Sequence, residues 1–336
     1  MGDPPFIFNK CTSTALMWGT VATLIPALFW GFFCFGLSAV IPVIAAIGGA
    51  LVGEVIVSGL MRRFTLWDGS AFLTGLFVGM AMPPGISPFI PATASLFAVS
   101  VIKGAFGGLG SNWMNPALAG IAFALLNWPV EMSAWSLPHH LIKVTGITNL
   151  DATVTDTLNR NVFSHLGADL PGGYFDLLFG NKSGALGEIS AVLLLAASVI
   201  LIAAKVIRWE IPTYIFGSFA ILTWAFGGLS LGNGFFSGDI LFAVLSGPFL
   251  LVSLFMAPDP VTSPSSKVGM MIFGVGIGIL TFLSRTFGST VGGSAFAVIM
   301  MNCAVPTLAK LDTRASQRRA SNAVAMTKGA ETHGIR

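Results

Sequence analysis

From Thr14 to Leu60 the chain runs 47 residues with a single charged side chain, Glu54. One membrane-crossing helix needs about 20 apolar residues. The run therefore predicts two spans joined by a tight turn near Gly36–Ser38. A cleaved signal peptide has an apolar region of only about 7–15 residues, so the N-terminus reads as retained. Followed along the chain, the same pattern predicts ten transmembrane helices, at 14–35, 37–60, 68–82, 88–103, 115–129, 185–207, 211–230, 238–256, 267–285 and 292–310. The third to fifth are short and interrupted by Gly and Pro. The chain then divides into a first membrane half (1–130), a polar loop (131–184), a second membrane half (185–310) and a basic polar tail (311–336). The fold class is an all-α polytopic membrane protein.

Composition agrees. Hydrophobic residues make up 54% of the 336, charged residues 9%, and mean hydropathy is +0.83. A soluble domain carries roughly 25% charge, so a soluble enzyme, a nucleic-acid binder and a disordered chain are excluded. The net charge of +3 reflects where the basic residues sit. With the N-terminus in the cytoplasm, only Lys143, Arg160, Lys182 and Arg285 of the 17 lysines and arginines fall outside, and the other 13 fall inside. Cytoplasmic loops carry the excess of Lys and Arg. Both termini are thus expected in the cytoplasm and the loop 131–184 outside. Cys11, Cys34 and Cys303 are too far apart for a CxxC motif and make no disulfide framework.

The chain resembles itself. Met80–Pro88 and Met256–Pro264 both read M-A-x-x-P-x-x-S-P, at an offset of 176 residues. Ala122–Asn127 has a gapped counterpart in Ala295–Asn302. The copies begin five spans apart, an odd number, so they cross the membrane in opposite senses. This predicts an inverted repeat with broken helices, as in many transporters. Proline lacks an amide donor and ends a helix. The backbone groups it frees must be satisfied by protein, water or a ligand. Pro83–Pro88 and Pro258–Pro264 are therefore either pocket walls or re-entrant turns packed against protein.

Gly104–Ala117 is a Gly-rich loop that enters a helix at Asn115-Pro116, with Asn as cap and Pro in the first turn. No βαβ unit surrounds it, so it is no dinucleotide fingerprint. It resembles the G-G-x-G-x-N-x-x-N-P-A signature of one membrane family, RnfD/NqrB, whose members belong to the Rnf electron-transport complex and to the sodium-translocating NADH:quinone reductase. Trp67–Ser70, Thr74–Leu76, Phe179–Ala191, Trp209–Pro212 and Asp259–Pro264 agree in the same order. The resemblance runs from about residue 6 to residue 311, and the absence of a large N-terminal extension favours the Rnf branch.

The resemblance implies a subunit that is not catalytic alone. It would relay electrons between partner redox subunits, on a ferredoxin/NAD or quinone couple, while the complex moves Na⁺ or H⁺. It implies an inner-membrane location and partnership with the other membrane and iron–sulfur or flavin subunits. It also implies FMN esterified to a threonine, with riboflavin as a second flavin. The family's attachment motif, D-[GA]-x-[ST]-G-A-T, falls on Asp151–Thr157 and places the flavin on Thr157. This chain departs from the motif at Val154, Thr155 and Asp156, so Thr155 and Thr153 remain alternates.

Asn112 and Asn115 are candidates for bonding the polar edge of a flavin ring, since an amide both donates and accepts, against helix capping only. Arg285 faces either a flavin phosphate or the membrane interface. Glu188 lies near the outer end of its span, close to a conceivable ion route. Glu54 and Asp68 are expected to pair with Arg62–Arg63 at the inner interface, and Lys103 to act as an interfacial anchor. His139, His140 and His165 lack the spacing of a metal site, and none is assigned. A second reading is a channel or transporter of small polar solutes with urea-channel-like architecture, because an inverted repeat with broken helices serves either function.

Overall fold

The structure, a computed structural model, describes residues 12–62, 65–135, 174–180, 182, 184–229, 234–288 and 292–310. The flavin threonine candidates Thr153, Thr155 and Thr157, the three loop histidines, and the tail beyond 310 lie outside them. In chain order the helices are α1 (Ser13–Phe35), α2 (Leu37–Met61), α3 (Ser70–Met80), α4 (Phe89–Phe97), α5 (Pro116–Asn127), α6 (Pro129–Met132) and α7 (Tyr174–Phe179). There follow α8 (Leu186–Ile189), α9 (Ala191–Ala203), α10 (Glu210–Phe226), α11 (Ile240–Leu245), α12 (Phe249–Leu251), α13 (Lys267–Phe287) and α14 (Gly293–Lys310). Wider π-helical turns extend α4 through Ala98–Gly104 and α12 through Val252–Met256. No strand occurs among the described residues.

Each predicted span contains helix, but the sixth, expected over 185–207, is split at Ser190 into α8 and α9 and stops at Ala203. Among the described residues four helices, α1, α2, α13 and α14, are long and apolar enough to cross a membrane. The 11 residues of α3 rise only about 16 Å, half the hydrocarbon core. The turn between α1 and α2 is Gly36 alone, at φ +69°, a conformation glycine adopts without a Cβ clash. The outer faces of α1 and α2 expose Phe29, Phe33, Ile44 and Leu60, while the buried core gathers Phe35, Phe219, Phe249 and Phe273. Apolar residues on the outside as well as the inside are what a hydrocarbon solvent permits.

Both halves use the same pairing. In the first, α2 lies along α4; in the second, α10 lies along α13. Small residues bring each pair close. A Cβ on Gly49 of α2 would collide with the carbonyl of Ala92 on α4. One on Gly278 of α13 would stand 2.8 Å from the carbonyl oxygen of Ile215 on α10. Such close backbone approach is how membrane helices associate without a hydrophobic driving force between them.

The eighth span departs from the continuous helix expected over 238–256. It breaks at Ser246-Gly247-Pro248, with Gly247 at φ +69°. Pro248 cannot donate to the preceding turn, and Gly247 turns the chain between α11 and α12. The breaks expected after Met80 and Met256 are present: 81–88 and 257–266 are non-helical.

Candidate functional site

Two cavities of nearly equal size open at opposite ends of the molecule. The first, about 330 Å³, lies where α1, α3 and α5 begin. Ser70, Thr74, Lys103, Asn112 and Asn115 come from the first half, and Pro258–Val261 of the second half's break closes it. The second, about 320 Å³, is framed by Ser246-Gly247-Pro248, Arg285, Gly292 and Ala295 of the second half. Ala81, at the first half's break, lines it too. Each cavity thus takes most of its wall from one half and borrows the broken segment of the other, as an inverted repeat dictates. Ser246 follows Ser70 by the repeat offset of 176.

In the first cavity the two asparagines have different duties. Asn115 caps α5: its Oδ1 accepts from the amides of Ala117 at 2.9 Å and Leu118 at 3.4 Å. Its Nδ2 donates to the carbonyl of Met256 at 3.0 Å, a group freed where the second half's helix stops. Asn112 is 7% exposed, and its Oδ1 has no partner among the described residues. A buried amide oxygen left bare costs about 1–3 kcal/mol, so the atom suits a ligand's N–H. Asn302 on α14, 0% exposed, completes the clamp. With its amide turned to satisfy both neighbours, it donates to Thr262 O at 3.3 Å and accepts from the backbone N–H of Asn115 at 3.2 Å. Its role was hidden in the sequence, where Asn302 showed only as the repeat partner of Asn127.

The expected pairing of Glu54 and Asp68 with Arg62 is corrected; Arg63 lies outside the described residues. Arg62 is exposed and ends α2 in the left-handed region. The partner of Glu54 is Lys103, which is buried and is no interfacial anchor. Its Nζ donates to Glu54 Oε2 at 2.8 Å and to Ser70 Oγ at 2.6 Å, and lies 3.9 Å from Asp68 Oδ2. Asp68 in turn accepts from the amide and hydroxyl of Ser70, at 2.8 and 2.7 Å. The Thr65 hydroxyl donates to the other oxygen of Glu54. This network forms because α2 and α4 pack side by side.

Arg285 occupies the corresponding place in the second half. Its guanidinium donates to the carbonyls of Ala243 at 2.6 Å and Ser246 at 3.0 Å, both freed where α11 ends. It lies 5.3 and 5.4 Å from the ring centres of Phe219 and Phe249. A cation there satisfies orphan carbonyls and stacks on aromatic faces. Glu188 is buried beside it in the cavity wall, with Oε1 unpartnered among the described residues. Lys182, outside the spans, donates to the carbonyl of Leu245. Burial pushes its ammonium below the usual lysine range, and the nearby Glu188 opposes that shift.

This architecture defines a class: an all-helical membrane protein with recurring helix pairs, broken helices and polar groups turned into two cavities. The chain matches the model of the NQR2, RnfD, RnfE family over residues 1–317 and belongs to that family. It is 37% identical over 303 residues, 88% of each chain, to the D subunit of the proton-translocating ferredoxin:NAD(+) oxidoreductase complex of Clostridium ljungdahlii. It is 33% identical over 311 residues, 85% of this chain and 86% of the other, to the D subunit of the ion-translocating oxidoreductase complex of Stutzerimonas stutzeri. It is 31% identical over 312 residues, 92% of each, to the D subunit of the Na(+)-translocating ferredoxin:NAD(+) oxidoreductase complex of Acetobacterium woodii. These relatives are named as components of oxidoreductases, which does not favour the solute-channel reading.

Proposed function

We propose that this chain is the flavin-bearing membrane subunit of an ion-translocating electron-transport complex, relaying electrons between partner redox subunits. The observation that carries the reading is the family match over residues 1–317, with relatives named as the D subunits of such complexes. The protein lies in the inner membrane with both termini cytoplasmic, a reading supported by the 13 of 17 basic residues that this topology places inside. The first cavity is then the cytoplasmic one, and the second faces the side of the loop 131–184.

The residues fit two flavins. In the first cavity, the bare Oδ1 of Asn112 can accept from the imide N–H of an isoalloxazine ring. Asn115 holds the wall in place through Met256. This is the site for riboflavin. On the other face, Thr157 carries FMN through a phosphoester, with Thr155 and Thr153 as alternates. Arg285 is the cation in the second cavity, on the same side as that loop. Once bound, a flavin supplies reversible one- and two-electron transfer. The protein binds the rings and orients them.

In-gel fluorescence under ultraviolet light tests the reading. The denatured chain should fluoresce at its own mass. Its tryptic peptide Val144–Arg160 should carry the mass of FMN less one water. A colourless chain, with the peptide unmodified in a complex that still transfers electrons, would overturn the covalent assignment.

A further inference from the structure

We propose that Lys103 raises the reduction potential of the flavin in the first cavity, as the positive end of a buried dipole whose negative end is Glu54. The inference rests on the flavin reading of that cavity. Lys103 is 3% exposed and forms part of the cavity wall, whereas Glu54, 1% exposed, stands behind it and does not line the cavity. The 2.8 Å ion pair thus has its lysine in the cavity wall and its glutamate outside it. Ser70 Oγ, 2.6 Å from Nζ and itself bonded to Asp68, fixes the ammonium there.

Stability gives no reason for such a pair. Apolar residues of the same volume often serve a buried site as well as or better than two paired charges. Its position gives one. A bound flavin that takes two electrons from the partner redox subunits and one proton from water gains one net negative charge. A positive charge at the wall, in a medium of low effective dielectric, favours that reduced form. Glu54 behind it, Asp68 3.9 Å from Nζ and Asp259 in the same wall all oppose that effect, so the contribution of Lys103 is read from removing it, which takes the one cation out of the described cavity lining.

The test uses the assembled complex carrying Lys103→Met, Glu54→Gln, both together, or Lys103→Arg. Noncovalent flavin is released with acid and quantified, and its midpoint potential is measured by spectroelectrochemical titration. Lys103→Met should shift the oxidised-to-reduced equilibrium about tenfold toward the oxidised form, about 30 mV downward for a two-electron couple. Glu54→Gln should move the potential upward. The double variant should fall between wild type and Lys103→Met, and Lys103→Arg should stay near wild type. A general disturbance of the wall would move both single variants the same way. Same-direction or unchanged potentials, with flavin content intact, overturn the role of Lys103 alone. A wild-type complex that releases no noncovalent flavin overturns the cavity reading and this role with it. Where Lys103→Met fails to assemble, a Glu54→Gln potential that does not rise overturns the proposal.

Discussion

Thr157 concentrates the covalent assignment in one hydroxyl. Thr157→Ala should abolish the fluorescence of the denatured chain, and Thr157→Ser should keep part of it, because the link requires only an accessible hydroxyl. Fluorescence lost instead in Thr155→Ala would move the attachment two places. In the first cavity the two asparagines should fail differently. Asn112→Leu leaves the fold intact and removes the free acceptor, so the complex should retain its noncovalent flavin about tenfold less well in a dilution assay. Asn115→Ala removes a helix cap, about 0.5–2 kcal/mol, and leaves the Met256 carbonyl unpaired, so it should lower the thermal midpoint of the solubilised complex. The cap was legible in the sequence, because an Asn-Pro step after a Gly-rich loop has a local cause. The Lys103–Glu54 pair was not. Its members stand 49 residues apart, and Arg62 was the nearer cation in sequence. Only the packing of α2 on α4 chooses between them.

Helix existence was readable throughout, because a hydrocarbon solvent imposes long apolar runs. Helix continuity was readable only where proline clusters. The breaks at 81–88 and 257–266 carry several prolines each. The break at Ser246-Gly247-Pro248 has one, in a run of apolar residues that reads as a plain span. What steadies that break is Arg285, 39 residues away on α13. Helix pairing rests on glycines whose neighbours only the fold supplies. Gly278→Val should force Ile215 and Ser218 away, cost about 1–3 kcal/mol or more, and reduce the yield of assembled complex by size-exclusion chromatography. Gly217→Val, on α10 with nothing within 4 Å of the added carbon, should assemble normally. Equal losses in the two variants would contradict the pairing of α10 with α13.

For the molecule as a whole, topology is the sharpest expectation. Protease added to intact spheroplasts should cut within the loop 131–184 and spare the tail after Lys310; tail cleavage there would reverse the orientation. The isolated chain in liposomes should move neither Na⁺ nor H⁺ when its flavin is reduced, because relay and transport belong to the complex. The M-A-x-x-P-x-x-S-P repeat carried the architecture into view, but not the way each cavity borrows a wall from the opposite half. That exchange sets an order on biogenesis. Asn302 lies on α14, the last helix among the described residues, yet it satisfies backbone groups of Asn115 and Thr262. Until α14 has inserted, the helix start and the broken segment of the first cavity are joined by the Asn115–Met256 bond but lack the two that Asn302 adds. A nascent chain halted before α14 would present unsatisfied backbone to lipid and be a natural target for membrane quality control. On the proposed flavin reading of the first cavity, loading there follows the insertion of α14.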